Sequence, residues 1–382
     1  MKPPKDRRAA HFLLIPELAY SPPNDALVNA LLELGYEVDL FAPGEASDTS
    51  RYGPRVRACS ASYGYRWMAR NLLSPRWSRY SLFAGTTEDP MAVAGLLARL
   101  YRRPCVTMAD EIKTGSFSGN RGGRWKALCR FGMRARGVTV VNDAERVSLQ
   151  RDYAGLSPQQ PVIIYPGCFR SLPVPWDRAA TRRARGIPED ALVICYSGVL
   201  NSGNGASWLA EAIAENEHYW FWGQIIHPDP LVMELLRRIQ GNDRLVLEPE
   251  RLSWQDAWAS MSAADIGIVV YLQDGPQFQH MGIASNRLCM FLSMGVPVIA
   301  SRQPSFRFIE DYDCGVLVGD VRELIAAIEQ IGVRLPVMRE NALRCARKYI
   351  RAPEHAAELR QRIAQLVRQS GTPRPYAANT AG

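Results

Sequence analysis

The chain has 382 residues, 47% hydrophobic and 22% charged, with a formal net charge of +8. That length allows two domains of ordinary size, and the composition is that of a globular chain rather than a disordered one. No apolar run reaches the roughly 20 residues a membrane span needs. The basic N-terminus offers only Phe12 to Ile15 before a proline, where a signal peptide wants about 7–15 apolar residues, so a cytoplasmic location is expected.

In chain order, the first half alternates short apolar runs with helical patterns. Strands are predicted at 11–16, 36–43, 80–85, 104–110, 137–143 and 161–167, with a helix at 24–34 closed by Gly35. The stretch 168–190, rich in proline and arginine, reads as a linker. The alternation then restarts, with strands at 192–198, 219–224, 244–249, 265–271, 296–301 and 314–319. Helices are predicted at 206–214, 230–239, 254–262, 286–294 and 321–331, then at about 336–350 and 353–369. Repeated strand–helix–strand units imply parallel sheets covered on both faces.

The expected fold is therefore α/β: two doubly wound Rossmann-like domains facing each other across a cleft. The first is 1–167 and the second 191–352. A helix over 353–370 is expected to return onto the first domain, and 371–382 to be a disordered tail. Ligands of such sheets bind outside the carboxyl ends of the strands, so the cleft is the default site. The eight cysteines form no CxxC pair, so neither a disulfide framework nor a zinc site is expected.

The charge is regional. Residues 1–167 hold 23 Lys and Arg against 15 Asp and Glu, and residues 51–136 alone hold 17 against 4. This basic region calls for an acidic partner. It contains "YGYRWMARNLLSPRWSRYS" and "RGGRWKALCRFGMRARG", which mix aromatic and basic residues as interfacial segments do. One reading is a peripheral contact with anionic membrane through Arg66, Trp67, Arg70, Arg76, Trp77, Arg124, Trp125 and Lys126. The other is that these helices cover their own core and the arginines are solvated.

In "MGIASNRLCMFLSMGVPVIAS" Ser285 can cap a helix that Gly295 ends. That helix starts at the carboxyl edge of the second sheet, and its N-terminus with Arg287 suits a diphosphate. Asn286 opens the same turn. Arg287 could equally be a solvated helix residue. No nucleic-acid motif accompanies the basic half, and no GxGxxG follows the first strand, which counts against a nicotinamide enzyme.

The run "LVLEPERLSWQDAWASMSAADIGIVVY … ASNRLCMFLSMGVPVIAS … CGVLVGDVRELIAAI" resembles the C-terminal domain of group 1 glycosyltransferases of the GT-B fold. "VVNDAERVSLQRDYAGLSPQQPVIIYPGCF" is similar to the end of that family's first domain. The resemblance implies that the second domain binds a nucleotide-sugar donor, with Arg287 at the diphosphate and the backbone of Arg251 and Leu252 at the base. Two departures stand out. Many members carry two glutamates eight residues apart where this chain has Gly282 and Met290. The family's Arg and Lys after the first strand of this domain are replaced by "SGVLNSGNGAS", which offers Gly198, Asn201, Ser202 and backbone N–H groups.

Xanthan-type glucuronosyltransferases, which also lack that glutamate pair, are a second resemblance. It implies an inverting reaction with an aspartate base just after a first-domain strand. In "PCVTMADEIKTG" that residue is Asp110, with Glu111 in reserve, although either could instead cap the next segment or pair with Lys113. The loop "LQDGPQFQHMG" adds Gln279 and His280, suited to sugar hydroxyls. No DxD-like pair is present, so no metal and no other cofactor is expected.

The expected function is that of a metal-independent glycosyltransferase, hexosyl or glycuronosyl. It would move a sugar from a UDP- or GDP-sugar to a lipid-linked or saccharide acceptor in surface-polysaccharide or glycolipid synthesis. The alternative is a catalytically silent scaffold of the same fold that binds a partner or lipid. Nucleic acid is not an expected partner.

Overall fold

Pro22 and Pro23 open the first helix, where backbone N–H groups have no intrahelical partner, and Gly35 at φ +83° turns the chain out of it. Similar local punctuation runs through the computed structural model. It describes residues 7–14, 21–43, 49–63, 65–109, 123–134, 137–170, 176–199, 218–226, 230, 234, 244–248, 252, 254–271 and 276–371.

The strands of the first sheet are β1 (Arg8–Phe12), β2 (Glu37–Ala42), β3 (Val56–Ser60), β4 (Leu82–Thr86), β5 (Cys105–Ala109), β6 (Gly137–Val141) and β7 (Val162–Ile164). Their order is β3-β2-β1-β4-β5-β6-β7, and every pairing is parallel. The helices described here are α1 (Pro22–Glu33), α2 (Tyr65–Asn71), α3 (Glu88–Leu100), α4 (Gly123–Met133) and α5 (Arg146–Ala154). Each face of the sheet buries its own apolar cluster.

After α6 (Arg178–Arg183) come the strands of the second sheet: β8 (Leu192–Val199), β9 (Tyr219–Ile226), β10 (Leu245–Glu248), β11 (Ile266–Val269), β12 (Val298–Ser301) and β13 (Gly315–Val318). The order is β10-β9-β8-β11-β12-β13, again parallel throughout. Its described helices are α7 (Trp254–Ala263), α8 (Pro276–Gln279), α9 (Asn286–Ser293), α10 (Phe308–Asp311), α11 (Leu324–Val333) and α12 (Leu335–Cys345). The α/β class and the two doubly wound sheets stand as read from the sequence.

The last helix, α13 (Ala352–Gly371), does not stay with the second sheet. Its Leu359 and Ile363 are fully buried among Leu27, Leu31, Val138 and Val140 of the first. Glu33 of α1 accepts from Arg360 at 2.7 Å and also pairs with Arg170, near the start of the linker. Within the second unit the buried Asp265 gathers Arg178 and Arg182 of α6 and Arg339 of α12, and accepts the Val193 N–H at 2.8 Å.

The strand β3 is absent from the sequence reading. Its alternate side chains are exposed, because it lies at the sheet edge and sends Arg57 to the buried Asp39 of β2 at 3.1 Å. The predicted helices at 206–214 and, apart from residues 230 and 234, 230–239 lie outside the described residues, as does the tail 372–382.

Candidate functional site

A doubly wound sheet opens a crevice where successive strands run to opposite sides. In the second sheet β9 leaves β8 on one side and β11 lies on the other, so the switch falls between β8 and β11. Arg287 sits there. Its guanidinium lies 4.7 Å from the ring of Tyr196, on β8, and 4.8 Å from that of Tyr271, just beyond β11. Burial works against the charge, but the two tyrosines outweigh it and raise the pKa above the usual guanidinium value. Among the described residues no carboxylate pairs with it, and its buried Nη1 has no hydrogen-bond partner.

The backbone around this cation is arranged to leave room. Gly198, at the end of β8, has φ +137°, and a Cβ there would come to 3.7 Å from Nη1. Ser285 caps α9 by accepting the Leu288 N–H at 3.3 Å, and its Oγ lies 2.8 Å from the Tyr271 hydroxyl. A guanidinium fork without a carboxylate partner among the described residues, two aromatic walls and a helix N-terminus thus meet at one point. Such a point attracts a compact anion with several oxygens.

The first sheet has its own switch, between β1 and β4. There His11 is fully buried, with Nε2 3.1 Å from Thr86 Oγ1, while the Thr86 hydroxyl donates to Asn24 Oδ1. This direction places the imidazole proton on Nε2 and leaves Nδ1 an acceptor without a partner among the described residues. Burial lowers the His11 pKa to about 3, against a raising bond to Asn24, so the ring is neutral. The residue after Thr86, Thr87, holds φ +66°, a strained value for a β-branched side chain, and its buried hydroxyl also has no partner among the described residues.

Between the two switches the units touch. Asp143, two residues beyond β6, accepts the Glu145 N–H through Oδ1 at 2.9 Å and the Ile283 N–H through Oδ2 at 2.8 Å. His280 Nδ1 meets Glu145 at 2.9 Å, and the Gly167 N–H donates to the Ile283 carbonyl at 2.8 Å. Burial pushes the Asp143 pKa up to about 6, although both N–H bonds oppose this.

No protein-family model matches the chain, and no curated protein sequence matches it significantly. Among solved structures it is similar to HepE from Anabaena in complex with UDP-glucose, at 16% identity and TM-score 0.69, covering 94% of this chain and 99% of that one. It is also similar to a sucrose-phosphate synthase from Thermosynechococcus elongatus, at 16% identity and TM-score 0.67, covering 95% and 99%. A third is WaaG, a glycosyltransferase involved in lipopolysaccharide biosynthesis, at 16% identity and TM-score 0.63, covering 92% and 99%.

The fold is GT-B.

Within this GT-B frame the structure brings Ser285, Arg287 and Gly198 together. Asn286 is half-buried and faces Gly167, whose Cβ position would lie 2.5 Å from Asn286 Oδ1. Met290 is half-buried against the apolar cluster of the second sheet, and Leu252 is half-buried. Gln279 is exposed, and its carbonyl lies 3.4 Å from Ser305 Oγ. His280 commits Nδ1 to Glu145 and so has one ring nitrogen fewer for a sugar hydroxyl. Asp110, Glu111, Arg251, Asn201 and Ser202 lie outside the described residues.

The interfacial reading needs a correction. Trp77 is fully buried and makes tilted or edge contacts with Phe12, Phe41 and Tyr80, and Trp67 is half-buried against the same cluster, edge-on to Tyr63 and Trp77. The tryptophans fill the core, and Arg76 lies over the Trp77 ring at 4.4 Å. Arg66, Arg70 and Arg76 are exposed, and the side chains of Arg124, Trp125 and Lys126 lie outside the described residues. Among the described residues of this basic region, the large apolar groups that protrude are instead Leu73, Leu100 and Phe131, at 76%, 49% and 51% exposure. Tyr196, Tyr271 and Asp143 were not read from the sequence as site residues. The one available signal was position, since Tyr271 and Asp143 lie just beyond the carboxyl ends of β11 and β6, and Tyr196 lies within β8.

Proposed function

We propose that this chain is a glycosyltransferase that takes its sugar from a nucleoside-diphosphate sugar, with UDP the first candidate for the nucleotide. The observation that carries this is Arg287, a guanidinium without a carboxylate partner among the described residues, held between two tyrosines at the switch point of the second sheet. The likeness to HepE in complex with UDP and with UDP-glucose supports the choice of base.

In this reading the α9 N-terminus and Arg287 neutralise the diphosphate as it leaves. The acceptor enters from the first sheet, along the carboxyl ends of its strands. Asp110, next after β5, takes the proton from the attacking hydroxyl, with Glu111 in reserve, and the anomeric centre inverts. The acceptor is lipid-linked or saccharide, and the product belongs to surface polysaccharide or glycolipid. No metal takes part.

The reading includes a peripheral contact with anionic membrane. Tyr101, following α3, donates to the carbonyl of Ser74 at 2.8 Å, and Arg99 lies 4.4 Å over the Phe131 ring. Leu73, Leu100 and Phe131 therefore belong to neighbouring elements, with Arg70, Arg76, Arg99, Arg102, Arg103 and Arg130 exposed around them. Apolar tips ringed by cations suit the interface of an anionic bilayer.

Titration calorimetry with UDP, with and without EDTA, tests the donor site. Binding that is indifferent to EDTA and falls at least ten-fold in Arg287→Ala is expected. Unchanged affinity in that variant would refute the assignment. Asp110→Asn should lower turnover with little effect on UDP binding. One observation favours a second reading, a silent scaffold: a side chain at position 282 would collide with the docked Asp143 carboxylate, so this site is built without the glutamate many members carry there. Failure of the wild-type chain to bind UDP or GDP would select it.

A further inference from the structure

The peptide unit that leads into the candidate donor helix is held from outside its own domain. Ile283 gives its N–H to Asp143 Oδ2 at 2.8 Å and receives the Gly167 N–H on its carbonyl at 2.8 Å. Asp143 follows β6 of the first sheet, and Gly167 follows β7. From Ile283 the chain runs through Ala284 and the capping Ser285 directly into the turn that carries Arg287.

We propose that Asp143 is a positioning residue for the donor site. Its carboxylate reaches across from the first domain, occupies the space that Gly282 leaves free, and fixes the loop in front of Arg287. The inference rests on the donor reading above.

The fit at Gly282 is the strongest argument. Its φ is +42°, and a Cβ built there would lie 1.9 Å from Asp143 Oδ2 and 2.7 Å from Cγ. Any side chain at 282 and the docked carboxylate exclude each other. The carboxylate is also pinned on its own side, because Oδ1 accepts the Glu145 N–H. A carboxylate only 6% exposed is a costly way to fill an interface, since an apolar group would avoid the desolvation. What an apolar group cannot do is accept the Ile283 N–H and so choose one position for the loop. Around it stand Glu145 and Arg146 on its own turn, His280 from the opposing loop, paired with Glu145, and Tyr349 from the chain returning to the first domain.

The test has two arms. Hydrogen exchange at the Ile283 amide, without ligand, reports docking. Calorimetric affinity for UDP reports positioning. Asp143→Asn keeps the shape but turns an N–H toward a donor, and Gly282→Ala displaces the carboxylate without altering it. In both, exchange is expected to quicken and UDP affinity to fall by about ten-fold each, the loss of one charge-assisted hydrogen bond. The Asp143→Ala/Gly282→Ala pair should bind UDP no more weakly than Asp143→Ala alone, because the collision has gone. Losses that simply add would overturn the proposal. Faster exchange with UDP affinity unchanged in both single variants would also overturn it, leaving the donor reading intact. No UDP binding by the wild-type chain would instead remove the donor reading itself, and the positioning role with it. Unchanged melting temperatures show that each comparison concerns folded protein.

Discussion

Tyr271 serves Arg287 and Ser285 at once: its ring lies 4.8 Å from the guanidinium, and its hydroxyl 2.8 Å from the Ser285 Oγ that caps α9. One side chain thus aligns the cation with the helix end. The end of β12 fixes its backbone, with the Tyr271 N–H donating to Ser301 Oγ at 3.3 Å.

The two roles can be separated. Tyr271→Phe keeps the ring and loses only the hydroxyl, so UDP affinity should stay within about three-fold of wild type. Tyr271→Ala removes a wall of the cation site and should cost about ten-fold, near the upper range for a desolvated cation–π contact. Calorimetry on both decides it, and equal losses would show that the ring is not what holds Arg287.

Asp265 should be a stability determinant. It is 3% exposed and neutralises Arg178, Arg182 and Arg339 together. Asp265→Ala strands three guanidinium groups, Arg182 being almost fully buried, and should lower stability by about 3–5 kcal/mol. Urea unfolding provides the check, and a loss below 1 kcal/mol would mean that the cluster acts as a surface pair.

Acid stability should reflect two buried groups with opposite signs. His11, lowered from 6.5 to about 3, stays neutral in the fold while the unfolded chain takes up a proton, so its contribution is lost as pH falls through that range. Asp143, raised from 3.8 to about 6, keeps a proton in the fold that the unfolded chain has released, so its contribution is lost as pH rises through 3.8–6. Each amounts to about 1.4 kcal/mol per pH unit at full slope, and over the shared window they cancel. Asp143→Asn should therefore lose stability on acidification from pH 6 to 4 more steeply than wild type. Parallel urea-derived profiles for the two proteins would contradict this.

Membrane association should depend on the protruding apolar groups rather than on the tryptophans. The Leu73→Glu/Phe131→Glu pair should weaken sedimentation with anionic phosphatidylglycerol vesicles by at least about ten-fold, through lost apolar burial and added repulsion. Neutral phosphatidylcholine vesicles should bind weakly to either protein. Equal sedimentation of both proteins with anionic vesicles would count against this face.

The sequence exposed the architecture because buried parallel strands announce themselves as apolar runs, and Ser285 and Gly295 bracket α9 by local chemistry alone. Gly295 indeed turns at φ +72°. It concealed what depends on a partner distant in the chain. Arg57 on β3 reads as a loop residue until Asp39 is seen beneath it. Trp77 looks interfacial because its arginine neighbours are exposed, yet the ring completes an aromatic cluster assembled from four strands and turns. Asp143 and Gly282 are individually unremarkable in the sequence, and only their approach gives either a meaning.

The return of α13 to the first sheet has a mechanical consequence. The chain crosses between the two halves once after Gly167 and again through Ala346–Ile350, where a π turn and Arg351 at φ +52° redirect it into α13. Two covalent crossings behave like the two pins of a door. Opening about the line that joins them stretches neither, whereas a twist across that line strains both at once. A swing about that line would leave the Asp143 contact in place, because Ile283 is bonded to Gly167 at one crossing and Asp143 stands close to Tyr349 at the other.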